Sequence, residues 1–435
     1  MTRATACIAL LFSCLGVSPL AEETAQEKDM VWAVSAEARI RPEYRDNLDL
    51  QSDVDDDTRL GLLRLRIGVD FTWKKQVRIF AQIQDSRVAG EEASTASNED
   101  NLDLHQGYAE LTPAEWRGVS LRAGRQEWVY GEERLIGNFN WDNVGRAFDG
   151  LRVRWDRGIL TLDGLAAGIS SETTPVITPE ITPPETGSRA TTGSDLYGIY
   201  SHWKVSDRFE IDGYWIEFAD NEITPGEAAG TSGSTTIDAF GVRAKRTGRL
   251  DVVFEGTAET GETSGDDLSA MAAAIQGGWT LGEGVKTRLF AGYDYATGDE
   301  DPTDGEREEF FNFFPTNHPL YGYADLFGWR NLQSPYAGVS VKRGKHFGLI
   351  KGHVFELESE AGAWKSAGGD VLGFDPAGDS GSRVGQEVDL LYRYAWNEKL
   401  VVEAGYARFD PGEFAEATRG GDTSHWGYLT LTISL

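Results

Sequence analysis

The sequence predicts an all-β fold, a transmembrane antiparallel β-barrel of about 18 strands with short turns at one rim and long loops at the other. Three observations predict it. Apolar and charged residues alternate with period 2 along much of the 435-residue chain, the pattern of strands lying between two solvents. Tight and long connections alternate between those runs. Beyond the N-terminus no segment offers roughly eighteen consecutive apolar residues, so no membrane-spanning helix is expected.

Composition agrees. Glycine (51), tyrosine (15) and tryptophan (13) are plentiful and methionine (3) is scarce, a mix suited to strands and turns. Lys and Arg number 41 against 70 Asp and Glu, a net charge of −29. Nucleic acid is therefore excluded as a partner, because neutralising phosphates requires a basic footprint.

Residues 1–21 read as a signal peptide. Arg3 supplies the positive start, Ala6 to Leu15 the apolar stretch, and cleavage is placed near Ala21 despite the poor fit of Pro19. A lipoprotein box at Leu11-Phe12-Ser13-Cys14 is the weaker alternative. Both cysteines, Cys7 and Cys14, leave with this segment, which removes disulfides, thiol chemistry and Cys-ligated zinc from consideration. Residues 22–435 are then a single barrel domain.

Along that domain the first strand places Val34, Ala36, Ala38, Ile40, Pro42 and Tyr44 on one face, with Glu37, Arg39, Arg41, Glu43 and Arg45 on the other. The next sets Leu63, Leu65, Ile67, Val69 and Phe71 against Arg64, Arg66 and Asp70. The same beat recurs at 77–83, 119–123, 151–155, 250–254, 285–293 and 388–394, and blurs at 208–219 and 268–281. Tight links fall near 74–75, 156–158, 206–207, 247–248, 282–284, 343–344 and 397–398. Long ones fall near 46–57, 86–103, 125–146, 171–193, 220–235, 297–328, 359–382 and 410–423. The mature length gives about 23 residues per strand with half its connections, enough to span a membrane at a tilt. Trp32, Tyr44, Trp73, Trp155, Trp203 and Trp396 at strand ends suit interfacial girdles. The chain closes on an alternating strand, 426–435, that ends in Leu435 rather than an aromatic residue.

Three blocks carry a resemblance. The first runs through Leu121-Arg122-Ala123-Gly124-Arg125-Gln126, Tyr130-Gly131-Glu132-Glu133-Arg134-Leu135-Ile136-Gly137 and Trp141 to Gly150. The second spans Phe314 to Arg330, and the third is Val384-Gly385-Gln386-Glu387-Val388-Asp389-Leu390. In these segments the chain resembles the alginate-export porins of the bacterial outer membrane. The resemblance implies an eighteen-stranded barrel in that membrane, with an arginine-rich lumen that passes anionic polysaccharide or smaller anions.

The inward positions supply the candidate pore residues: Arg64, Arg66, Arg122, Arg152, Arg154, Arg243, Lys245, Arg288 and Arg393, with Glu110 among the acids. Arg125, Arg146, Arg152 and Arg154 are the constriction candidates, because they lie in or beside the first block. Guanidinium groups can replace part of the hydration of a passing carboxylate, while nearby acids keep binding weak enough for release. The competing reading is a salt-bridge ladder that only satisfies a polar interior. The aromatic stretch Phe310 to Trp329 is open between stacking sugars, plugging the lumen and packing on itself.

No cofactor and no firm metal site are expected. Asp53, Asp55 and Asp57 are weak calcium candidates, as is the acidic run from Asp299 to Glu309, since neither has the twelve-residue spacing of a calcium loop. Catalytic patterns fail: Gly378-Asp379-Ser380-Gly381 lacks a histidine context, Gly338 to Lys345 has the wrong spacing for a phosphate loop, and no HExxH occurs. A non-enzymatic channel for anionic solutes, uronate-containing saccharides among them, is expected. Its partners are membrane lipid, lipopolysaccharide and the solute, with periplasmic export partners compatible. An outer-membrane barrel hydrolase and a secreted soluble β-sheet carbohydrate-binding protein are the alternatives.

Overall fold

The computed structural model describes residues 29–51, 57–89, 102–169 and 193–435. The signal segment and the acidic residues Asp53 and Asp55 lie outside them. Among the described residues, eighteen long antiparallel strands form one closed sheet. In chain order β1 to β6 are Met30–Asp46, Thr58–Trp73, Val77–Ala89, Leu102–Leu111, Val119–Gln126 and Phe148–Asp156. Next, β7 to β12 are Leu160–Ile169, Ser194–Ser206, Phe209–Pro225, Ser232–Arg246, Leu250–Thr263 and Asp266–Leu281. The last six, β13 to β18, are Lys286–Ala296, Leu332–Arg343, His346–Glu356, Arg383–Asn397, Leu400–Pro411 and Ser424–Ser434. The ring shuts where β1 pairs with β18, Arg39 opposite Thr432 and Tyr44 opposite Gly427. Closure leaves no unpaired edge, which a bilayer interior demands. It also removes the reading of a soluble sheet with two open layers.

The period-2 pattern explains the faces. On β2, Leu63, Leu65, Ile67 and Val69 are exposed outward, where lipid would cover them, while Arg64 and Arg66 are buried inside the ring. The blurred segments are full strands, β9 and β12. Their inward positions carry apolar side chains, Ile216 and Phe218 on β9 and Leu268, Ala270, Ala272 and Ala274 on β12, all buried. Over these stretches both faces of the strands carry apolar residues, which erases the alternation. The expected link at 220–235 shrinks to 226–231 because β9 and β10 run on past it. Between β11 and β12 the turn is only Ser264-Gly265, both with positive φ (58° and 89°), the tight hairpin geometry that suits a right-twisted strand pair.

The apolar inward residues have a partner inside the barrel. The segments 127–147, 297–331 and 357–382 and a six-residue helix, Glu413–Thr418, pack there as a hydrophobic core. Trp128, Ile136, Phe310, Tyr321, Trp329, Trp364 and Phe414 are fully buried in it. Phe327 stacks on Phe355 at 3.8 Å, and Trp128 on Phe148 at 4.7 Å. The aromatic stretch 310–329 thus folds inward and packs on itself and the wall.

Candidate functional site

The site grows from the β1–β2 hairpin. Its register sets Arg39 directly opposite Arg64 and Glu37 opposite Arg66. Like charges directly opposed destabilise a strand pair, so a compensating partner is needed. That partner is the 127–147 segment. Arg39 donates to the carbonyls of Asn140 (2.9 Å) and Asp142 (2.6 Å), and Arg64 donates to the same two carbonyls at 3.1 Å each. Arg66 donates to Asn140 Oδ1 (2.8 Å), Val144 O (3.0 Å) and Gln84 Oε1 (2.6 Å). Asn143 returns the contact, donating to Leu63 O (3.3 Å) and Arg87 O (3.0 Å). Carboxylates contribute less: Glu37 meets Arg64 at 2.7 Å, and Glu127 lies 3.6 Å from Arg66.

Two segments then lock to each other. Gly137 N donates to Phe314 O and Phe314 N to Leu135 O, both at 2.8 Å, around a parallel bridge between Ile136 and Phe314. Arg146 donates to Gly137 O (3.2 Å) and Pro315 O (2.9 Å). Burial pulls its guanidinium down to about 10, against the raising pull of Asp142 and Glu133. Arg134 is buried completely, donating to Tyr321 OH (2.5 Å) and lying 3.1 Å from Asp294 on β13. Burial alone would weaken its charge; Asp294 and the groups around it more than reverse that. The tip of the second segment rests on the wall formed by β15 and β16. Tyr323 N donates to Asp389 (3.2 Å), Ala324 N to Glu387 (3.1 Å), and Lys351 Nζ to Pro319 O (3.1 Å).

Where the tips meet, four planar groups stack. The Arg41 guanidinium lies 3.9 Å from the Trp141 ring centre, the His318 ring lies 3.9 Å beyond it and 2° from parallel, and Tyr323 follows at 5.0 Å. Both faces of Trp141 are thereby covered, so this ring is not available for a sugar. His318 Nδ1 contacts Asp325 at 2.9 Å. Beside the stack is a cavity of about 520 Å³ lined by Arg39, Arg41, Arg393, Glu403, His318 and Thr430 among others. A second cavity, about 370 Å³, lies along Tyr130 and Gly131 of the same inserted segment and is walled by Arg154, Asp163, Arg243 and Lys245.

This arrangement is that of a membrane barrel whose interior is filled by its own loops. The family model described as alginate export matches residues 32–428. The chain belongs to the alginate export family. No curated protein sequence matches it. Among solved structures, Pseudomonas aeruginosa OpdO is similar with a TM-score of 0.61 at 11% identity, covering 94% of this chain and 99% of that one. P. aeruginosa OccK5 (OpdH) gives 0.56 at 10% identity over 93% and 98%. P. aeruginosa OpdK, solved with vanillate, gives 0.55 at 10% identity over 92% and 98%. At these identities the likeness is one of fold. This alginate export family member is an outer-membrane, channel-like β-barrel.

Within it the expected site residues separate into groups. Arg64 and Arg66 bind the inserted segment as described. Arg122 and Arg152 face each other across β5 and β6, and both turn to Glu110, Arg152 at 3.6 Å. Arg154 holds Asp163 through two hydrogen bonds, 2.7 and 2.6 Å. Arg243 gathers Glu132 (2.6 Å), Glu210 (2.9 Å) and Asp212 (2.5 Å), and Lys245 shares Glu132 at 2.8 Å. Arg288 pairs with Asp251, and Arg393 with Glu403, each at 2.5 Å.

One constriction candidate lies outside the ring, and a second joins the inserted loops. Arg125 shares its face with Leu121 and Ala123 and pairs with Asp149 (2.8 Å), two residues from outward-facing Leu151. Strand parity sends it outside the ring. Arg146 is inside, yet its hydrogen bonds tie loop to loop. Arg39 and Arg41 were among the inward arginines expected from strand parity, whereas Asn140, Trp141 and His318 were not foreseen as site residues. Trp141 and His318 lie in the two family-like blocks, which were the available signal. The Ser380 hydroxyl, in the protease-like motif, donates to Asp375 at 2.6 Å and shapes a turn.

Proposed function

We propose that this alginate export family protein is a passive channel for anionic solutes, with uronate-containing saccharides as the leading candidates, and that an arginine-lined lumen selects them. The supporting observation is the pairing of like charges across strands, Arg39 with Arg64 and Arg122 with Arg152. Such pairs weaken a sheet, so their presence inside the ring is better accounted for by the field they create than by stability. Arg39 is met by carbonyl oxygens rather than a directly paired carboxylate, which leaves its positive charge only partly offset, by Glu37, beside the larger cavity. Passage needs an attraction that is present but weak.

Reversal potentials in planar bilayers under a salt gradient test the proposal. Anion preference is expected, falling when Arg39 and Arg64 are both changed to Gln. Cation preference in the unaltered protein would refute it.

A further inference from the structure

The extracellular rim holds a carboxyl pair that a channel does not need. Glu227 lies in the 226–231 link and Asp299 at the start of the 297–331 segment, and their carboxyl groups contact each other. The Glu227 side chain is 5% exposed and Asp299 is 6% exposed. Glu227 Oε1 and Asp299 Oδ1 are buried, and neither receives a hydrogen bond. Two buried carboxyl groups in contact, each with an oxygen that lacks a donor, call for a proton or a cation between them.

The surroundings sharpen the demand. Asp266, at the start of β12, is buried beside Glu227, accepting from Glu227 N (2.7 Å) and Thr231 Oγ1 (2.9 Å). Arg307 is the one guanidinium within ion-pair reach of this group among the described residues, 3.3 Å from Glu227 and 3.5 Å from Asp266. Three carboxylates thus share a single positive charge. Glu309 adds its field to Asp299, and Glu300, Asp304 and Glu308 crowd the same acidic run.

We propose that Glu227 and Asp299 bind a divalent cation of the calcium type, and that the ion ties the 226–231 link to the 297–331 segment. Carboxylate oxygens are the hard donors such an ion takes, and water with backbone carbonyls can complete a flexible shell. No group of three or more His, Cys, Asp or Glu stands arranged for a metal among the described residues, so the site is a two-carboxylate one. Its affinity then belongs with weak extracellular sites, Kd roughly 10⁻⁴ to 10⁻³ M. A shared proton is the competing occupant.

The test uses the full-length mature protein refolded in detergent free of lipopolysaccharide, with protease cleavage within 297–309 as the readout, at pH 8. Calcium at ten times Kd is expected to slow cleavage about tenfold relative to EDTA. Glu227→Gln with Asp299→Asn, near-isosteric changes, should abolish the calcium effect. Changing Asp53, Asp55 and Asp57 to Asn should leave it intact. Heat-modifiable gel migration checks that each variant is folded. Equal calcium protection in the Glu227/Asp299 variant would overturn the proposal. So would cleavage in the unaltered protein that follows pH and ignores calcium.

Discussion

Trp141 and His318, 177 residues apart in the chain, stack face to face at 3.9 Å with their rings 2° from parallel. Each comes from a different inserted segment, the one tip held by β1 and β2 and the other by β15 and β16. The stack is consequently the place where the two halves of the lumen filling meet at their tips. Trp141→Ala should widen the larger cavity and raise single-channel conductance. Conductance identical to that of the unaltered protein would show that the tips do not limit flow.

Arg134 and Asp294 are both buried, and neither has water to fall back on. Asp294→Asn or Arg134→Met alone is expected to cost about 3–5 kcal/mol, the penalty for leaving one buried charge without its partner. The two changes together should cost clearly less than their sum. Thermal unfolding of the four proteins in one detergent measures the coupling, and strict additivity would contradict it.

Arg125 and Arg154 differ in the face of the sheet they occupy. Changing Arg125 to Ala is expected to leave anion selectivity unchanged, while Arg152→Ala with Arg154→Ala should reduce it. Reversal potentials decide. A selectivity loss in the Arg125 variant would return that residue to the pore.

Glu227 yields a pH dependence. Burial, then the charge of Asp299, raises its carboxyl from 4.5 to about 7. A raised carboxyl stabilises the folded rim fully below its unfolded value, and that contribution is lost as pH rises through about 7. In EDTA, protease cleavage of 297–309 should therefore be faster at pH 8 than at pH 6. Equal rates, or the reverse order, would count against the carboxyl pair as the titrating group.

The membrane barrel was legible because a strand between lipid and lumen has two unlike faces, as β1 and β2 display. Legibility failed where the inside was also apolar. Ile216, Phe218 and the alanines of β12 face a hydrophobic filling built from distant segments, and local alternation carries no trace of that filling. Arginines were found by the same face rule, and their partners were not. The carbonyls of Asn140 and Asp142 have no side-chain signature, so nothing in composition assigned Arg39 and Arg64 to them. Arg125 was misplaced for a simpler reason: it was chosen for its neighbourhood in the sequence, although strand parity pointed it outward. Glu227 and Asp299, 72 positions apart, meet only because two rim segments converge.

The carbonyls on Arg39 and Arg64 also bear on how tightly any solute could be held. These arginines are already occupied by neutral oxygens tethered to the same chain. An incoming carboxylate must swap places with them, and the tethered oxygens return whenever it lets go. Binding is then an exchange against an internal competitor always present at high effective concentration. Affinity is held down and release is quickened, as suits a conduit more than a receptor.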